Sequence, residues 1–282
     1  MLALQGGEWQ AQLRPEIGGA ISALSHGGID VLRPMPPDAD NPLHAACFPL
    51  VPYCNRIRDG RFAFAGRTVI LPANFPPAPH SLHGLGWQQP WTVESRAENK
   101  CVLLHEYDGA GPWPWAYRAR QRIRLGPKGC AITLVLTNRS PEAMPAGLGL
   151  HPYFRHRPES ALQFAAGHVL LAGPDSLPTG VEAPADHFAD FTHASLLPAE
   201  PIDHCFAGWR GEAILRDDSG TLTISAEGAP HLHLYAPADG STLCLEPVSH
   251  TPDAPNRAPA EMILLPPGCS ASLTMLIATQ PP

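Results

Sequence analysis

The sequence predicts an all-β protein, a large antiparallel sandwich or barrel, and three observations carry that reading. Apolar and polar residues alternate with a period of two over many short runs. Gly, Pro and Asp separate those runs at short intervals, as turns do between strands. No stretch keeps apolar residues at helical spacing for three or four turns.

The runs follow in order along the chain. Phe62 and Phe64 alternate with Ala63 and Ala65 before the turn glycine Gly66. Over 115–125, Arg118, Arg120, Arg122 and Arg124 fall on one face of an extended segment. Tyr117, Ala119, Gln121, Ile123 and Leu125 fall on the other. That arginine stripe has three readings: a solvated outer face answered by carboxylates, an anion-binding face, or a partner surface. Ile132, Leu134 and Leu136 alternate with Thr133 and Thr137, and 221–226 and 273–277 repeat the pattern. Near the C-terminal end, Leu243, Cys244 and Leu245 lead into Glu246. The following segment is stiffened by Pro247, Pro252 and Pro255, each of which fixes φ and removes a donor.

The 282 residues suffice for a sizeable core, and no shift in composition marks a linker, so one domain spanning 1–282 is expected. The 34 prolines are scattered between apolar runs, which suits loop punctuation and not disorder. A net charge of −7 with no basic block gives no sign of a nucleic-acid partner. No signal peptide is visible at the N-terminus, and no apolar run approaches the ~20 residues of a membrane helix. The seven cysteines are odd in number and unpaired in spacing, so reduced, packed thiols in a cytoplasmic protein are expected, with no CxxC zinc site.

Five stretches place polar groups among glycines, prolines and aromatics. Glu246 sits at a strand end, where a carboxylate is either simply solvated or positioned for proton transfer. In 52–60, Asn55 and Arg56 offer donors and an acceptor suited to vicinal hydroxyls, or else a turn in which Arg pairs with Asp59. In 80–87, His83 precedes Gly84 and stands four residues from Trp87. Sugar C–H faces pack on such rings while ring nitrogens bond hydroxyls. His151 lies in Gly-Leu-His-Pro-Tyr-Phe, and histidine exchanges a proton near neutral pH. Asp203 could accept bonds from hydroxyls, with His204 beside it facing the opposite way in a strand. His231 and His233 share a face, but a metal site would need a third ligand. No metal or other cofactor is expected.

Taken together and in order, these motifs resemble the aldose 1-epimerase, or mutarotase, family from about residue 14 to the final strand. They are Asn55-Arg56-Ile57, His83-Gly84, His151-Pro152-Tyr153-Phe154, Asp203-His204, and Glu246 through Pro252-Asp253-Ala254 to Asn256. The resemblance implies a β-supersandwich of mostly antiparallel strands with an open sugar-binding cleft. It implies cofactor-independent interconversion of the α and β anomers of an aldose. Glu246 would be the general base at the C1 hydroxyl and His151 the general acid at the ring oxygen. His83 would assist there, Asn55, Arg56 and Asp203 would hold hydroxyls, and His233 would stand where the family has a sugar-binding glutamine. The loop above Glu246 would shape the wall beside it.

The sequence departs from galactose mutarotases at Leu85, at Gly149-Leu150 and at Pro247-Val248-Ser249-His250, which points away from galactose as the sugar. Two alternatives stay open. One is a hexose-6-phosphate 1-epimerase, encouraged only by Arg58, Arg61 and the 118–124 stripe. The other is a non-catalytic sugar-binding protein on the same fold. The expected partner is a small-molecule sugar, and the expected state a monomer or weak homodimer.

Overall fold

The computed structural model describes residues 1–155, 157 and 159–280. Nearly all the regular structure is β, in two large antiparallel sheets, and the chain forms the expected supersandwich. The eleven-stranded sheet runs Leu2–Gly6, Trp9–Arg14, Ala20–His26, Cys47–Leu50, Gly149–Phe154, Leu243–Val248, His231–Ala236, Ile202–Ala207, His168–Ala172, Pro178–Pro184. Its eleventh strand, Ile29–Asp30, pairs with Ala20–His26 off that path. The nine-stranded sheet is centred on Tyr117–Gly126, Gly129–Asn138, Ser270–Gln280 and Gly220–Glu227. Among the described residues, a parallel contact occurs only as the bridge between Val51 and Gly84.

The alternation read from sequence is the alternation of burial. Tyr117, Ala119, Gln121, Ile123 and Leu125 are buried, and the four arginines between them point outward. Gln121 satisfies its place in the core by donating from Nε2 to the Gly19 carbonyl at 2.9 Å. Arg118 pairs with Glu106 at 2.6 Å and Arg120 with Glu94 at 2.6 Å, so for those two the solvated-face reading holds. Ile132, Leu134, Leu136, Leu273, Met275 and Ile277 join a core shared by both sheets that runs from Leu4 to Ile277. Truncating such a side chain to Ala costs about 2–5 kcal/mol.

Three neighbouring strands in the middle of the eleven-stranded sheet carry apolar packing on both faces. Leu150 and Phe154, Leu232 and Leu234, and Leu243 and Leu245 enter the main core. The alternate positions Tyr153, Cys244 and Val248 join a second cluster with Phe48, Leu50, Leu82 and Trp87. This second cluster floors the cleft described next. A period of two thus sends the leucines inward and the functional side chains outward from the same strands.

All seven cysteines are free, and six are buried. The α-helical structure is the four-residue turn Ala254–Arg257. Among the described residues, no helix is long and apolar enough to cross a membrane.

Candidate active site

Strand register assembles half of the site. His233 is directly opposite Glu246 on the adjacent strand. The pairing from Gly149↔Val248 to Tyr153↔Cys244 sets His151 opposite Glu246 on the other side. His151, from a remote part of the chain, thus joins Glu246 and His233 in one row on the outward face, since paired residues project to the same side. Asp203 pairs with Tyr235, two positions along the same face from His233, and reaches its ring diagonally.

Loops supply the other half. Asn55 and His83 adopt left-handed backbone conformations, at φ 55° and 58°. They clasp each other: the Asn55 amide donates to His83 Nδ1 at 3.1 Å, and the His83 amide donates to the Asn55 carbonyl at 2.9 Å. Gly84 follows at φ 72°, and a Cβ there would stand 2.2 Å from the Val51 carbonyl oxygen, so only glycine fits. The Arg56 amide donates to Asn55 Oδ1 at 2.8 Å, which turns Asn55 Nδ2 toward His233 Nδ1 at 3.3 Å.

The segment after Glu246 holds these loops in place. His250 Nδ1 lies 2.8 Å from the Thr251 carbonyl, to which it donates, leaving Nε2 to accept from the Cys54 amide at 3.1 Å. Ser249 Oγ accepts from the Leu148 amide at 2.8 Å. Asp253, 1 % exposed, donates its amide to the Arg56 carbonyl and accepts from the Arg58 amide at 3.0 Å. The Pro-Val-Ser-His run and the Pro252-Asp253 turn thus act mainly as tethers for 52–58. That replaces the expectation of a wall beside Glu246, because their polar groups turn toward backbone instead of the cleft.

The result is a cleft of about 330 Å³ lined by all seven residues singled out from the sequence: Asn55, Arg56, His83, His151, Asp203, His233 and Glu246. His151 Nε2 lies 3.3 Å from Glu246 Oε1. His151 is stacked between Phe48 and Tyr153, with ring centroids 4.7 and 4.6 Å away. His233 Nε2 donates to Asp203 Oδ1 at 2.8 Å.

Burial sets the proton distribution. Glu246, 2 % exposed, is pushed up to about 7 by loss of water and by the Asp203 charge, against His233 and Arg56. Burial and the neighbouring His233 press His151 down to about 3, so its imidazole is neutral. His83 is held well below its usual range by burial, with His151 and Arg56 adding to it. Burial works against the Asp203 carboxylate, but His233 and Arg56 outweigh it and hold the group at about 2. Glu246 Oε2 and His151 Nδ1 are buried without a hydrogen-bond partner among the described residues. Such orphans are expected where a substrate makes the missing bonds.

Ligand atoms of His83, His151 and Glu246 lie within 4.8 Å of one another, a spacing that also suits a metal ion. The His83 tautomer argues against that use. Its Nδ1 accepts the Asn55 amide, so Nε2 carries the proton and offers a donor, whereas a metal needs a lone pair. His231, the other histidine of the pair weighed from sequence, turns to Glu261 at 3.8 Å.

Several readings are revised. Trp87 is buried, donates Nε1 to the Leu82 carbonyl and props Phe48 and His83 from below; it offers no face to a sugar. The aromatics that do line the cleft are Phe75, Tyr153 and Tyr235. None of Arg58, Arg61 or the 118–124 stripe lines it, because Arg58 faces Asp175 and Asp253 and the stripe is on the outer face. Arg33, which carries no local motif, lines it instead. His204 faces away, as expected, accepting the Ala172 amide at Nδ1 and stacking on Phe188.

The aldose 1-epimerase family model matches residues 5–278, almost the whole described chain. The chain belongs to this family. Among its relatives is the Escherichia coli K12 protein YphB, uncharacterised in function, which is 30% identical over 274 residues and 93% of either chain. A solved E. coli K12 structure, described as a candidate aldose 1-epimerase, superposes with a TM-score of 0.92 at 28% identity, covering 99% of this chain and 98% of that one. A galactose mutarotase-like protein from Clostridium acetobutylicum shares the fold, with a TM-score of 0.88 at 19% identity over 99% and 95% of the two chains. Within this epimerase family member, His233 spends one ring nitrogen on Asp203.

Proposed function

We propose that this protein is an active aldose 1-epimerase, interconverting α and β anomers by opening and reclosing the sugar ring. The observation that carries the reading is the His151–Glu246 pair, 3.3 Å apart on adjacent strands and facing one cleft. The Glu246 carboxylate takes the proton of the C1 hydroxyl, the O–H electrons become the carbonyl π bond, and C1–O5 breaks. Protonated His151 gives its proton to O5. The open aldehyde rotates about C1–C2, O5 attacks the other face while returning its proton to His151, and Glu246 reprotonates O1. Charge and atoms balance, and no cofactor is consumed.

The pair works with one shared proton. In the free site burial leaves it on Glu246, and transfer across the 3.3 Å contact gives the carboxylate–imidazolium form at the same total protonation. In this reading His83 Nε2–H donates to O5 or a neighbouring hydroxyl, and Arg56, Asn55 and Asp203 hold the remaining hydroxyls.

Polarimetry or NMR on freshly dissolved single anomers, across neutral aldoses, uronic acids and sugar phosphates, tests the reading. The wild-type protein accelerates mutarotation of at least one sugar. Glu246→Gln and His151→Asn each remove about 10²- to 10⁴-fold of the rate while sugar still binds. Tight binding with no acceleration by the wild type would make the protein a sugar binder instead.

A further inference from the structure

We propose that the aldose taken by this cleft is acidic, and that Arg33 receives a carboxylate on it, as in a uronic acid. The inference rests on the anomer-exchange reading for the orientation of the sugar, and on a separate observation for its charge. Arg33 follows the bridge of Leu32 to Phe154, and its amide donates to the Tyr153 carbonyl at 2.8 Å, which brings it to the end of the catalytic strand. Its guanidinium lies 4.1 Å from the Tyr153 ring centroid, and the Tyr153 ring lies 4.6 Å from that of His151. Two stacking distances thus separate it from the proposed acid, a gap that one sugar hydrogen-bonded at both ends can bridge.

The charge of Arg33 is unanswered. Arg14, Arg58, Arg67, Arg118 and Arg120 have a carboxylate partner within 4 Å; Arg33 has none among the described residues, and unlike the unpaired arginines Arg61, Arg122 and Arg124, which are exposed, it is partly buried in the cleft wall. Arg56, the other guanidinium of the cleft, also has no carboxylate within 4 Å among the described residues, but its charge already acts on Asp203 and Glu246. Arg33 Nη2 donates to the Leu43 and Ala45 carbonyls at 3.0 and 3.4 Å, which fixes the group without neutralising it. Nε and Nη1 make no hydrogen bond among the described residues. The same cleft wall includes Thr242, 3 % exposed, whose Oγ1 is buried without a partner among the described residues. A partly buried cation with spare donors and an idle hydroxyl together suit an oxyanion.

One guanidinium not engaged with the catalytic carboxylates balances one negative charge. A carboxylate monoanion fits that count, whereas a phosphate ester usually takes two or more cationic groups. The catalytic end does not oppose an acid, since Asp203 is paired with His233 and Glu246 holds the shared proton in the free site.

Calorimetry with glucuronate or galacturonate against the matching neutral hexose tests this. We expect the wild-type protein to bind the uronate about 10- to 100-fold more tightly, with the difference shrinking as salt is raised. In Arg33→Met, which keeps the stem over Tyr153, the uronate-to-hexose ratio collapses toward one. Equal affinity for both sugars in the wild type would overturn the proposal, even if neutral aldoses are mutarotated normally. So would a ratio that survives in Arg33→Met, since the charge would then be read elsewhere. Tighter binding of glucose 6-phosphate than of glucuronate would overturn the carboxylate assignment in favour of a phosphate ester. The wild-type ratio needs no variant and no turnover, so this proposal and the anomer-exchange reading fail separately.

Discussion

The two halves of the site are built by different physics. His151, Glu246 and His233 are placed by strand register in the middle of an eleven-stranded sheet, with a leucine core behind them. Asn55, Arg56 and His83 are placed by left-handed residues, a glycine that tolerates no Cβ, and tethers from a distant loop. A register slip would turn the whole row into the core, so the sheet half is all-or-none. The loop half depends on single hydrogen bonds and degrades by degrees. In the proposed reaction, proton transfer, which tolerates little displacement, falls on the rigid half, and hydroxyl recognition is shared between Asp203 on that half and Asn55 and Arg56 on the adjustable one.

The largest expected effect comes from breaking the sheet half chemically while leaving its packing alone. Glu246→Gln and His151→Asn keep shape and remove the proton exchange, so the rate falls about 10²- to 10⁴-fold with little change in sugar affinity. A comparable rise in KM with kcat unchanged would place the chemistry elsewhere in the cleft.

Breaking the loop half should give the opposite kinetic signature. Asp253→Ala strands the Arg58 amide and removes one of two bonds of the exposed Asn256 side chain, which donates to Asp253 Oδ1 at 2.7 Å and to the Arg61 carbonyl at 2.9 Å. Leaving the amide unpaired costs about 1–3 kcal/mol in stability, read by denaturant unfolding. It also loosens Arg56, so KM rises more than kcat falls. Asp253→Asn keeps the residue's tolerance of φ 57° and one acceptor, and recovers part of both losses. A pure kcat loss would show that the tether acts on the proton pair.

How much of this was legible beforehand follows the same division. Alternation gave the strands and the two faces, because burial follows the period of two. Glu246, His151, Asp203 and His233 stood out as polar residues in apolar strands, yet bringing His151 beside Glu246 depends on a pairing between strands 95 positions apart, which no local pattern encodes. Trp87 looked like a sugar platform because proximity in sequence says nothing about which side of a histidine an indole occupies. Arg33 went unnoticed, since it lies in a short Val-Leu-Arg-Pro run with no companion motif. Its one signal was an arginine directly following a buried apolar pair. His250 looked like a departure near the substrate, and its two backbone bonds explain it as a tether.

A pH profile sharpens the account of the sheet half with smaller, graded changes. The pair holds a single proton between His151 at about 3 and Glu246 at about 7. Above about pH 7 that proton is lost, so log kcat/KM should fall with a slope of −1, about tenfold per pH unit, and be level just below. Both tautomers of the pair contain the same number of protons, so the profile tests the protonation level and not which residue holds it. A rate that rises through pH 7 would mean that ionised Glu246 with neutral His151 is the active form. The acid would then be His83, whose Nε2 already carries a proton.

The smallest effect should come from the feature that looked most like a binding surface in the sequence. Arg120 is bonded to Glu94 through both Nε and Nη2, at 2.6–2.9 Å, on the outer face of the second sheet. Glu94 is held below the usual carboxylate range chiefly by that hydrogen bond. Exposed pairs of this kind are worth about 0–1 kcal/mol, because water and salt screen them and two long side chains lose freedom in forming them. Arg120→Ala should therefore leave mutarotation unchanged and move the unfolding free energy by less than about 1 kcal/mol, with even that difference shrinking in high salt. A loss of sugar binding in this variant would require the outer face to communicate with the cleft through the whole thickness of the core. The stacked leucines behind Glu246 give no polar route for that, and the contrast between the arginines of the outer face and those of the cleft would collapse.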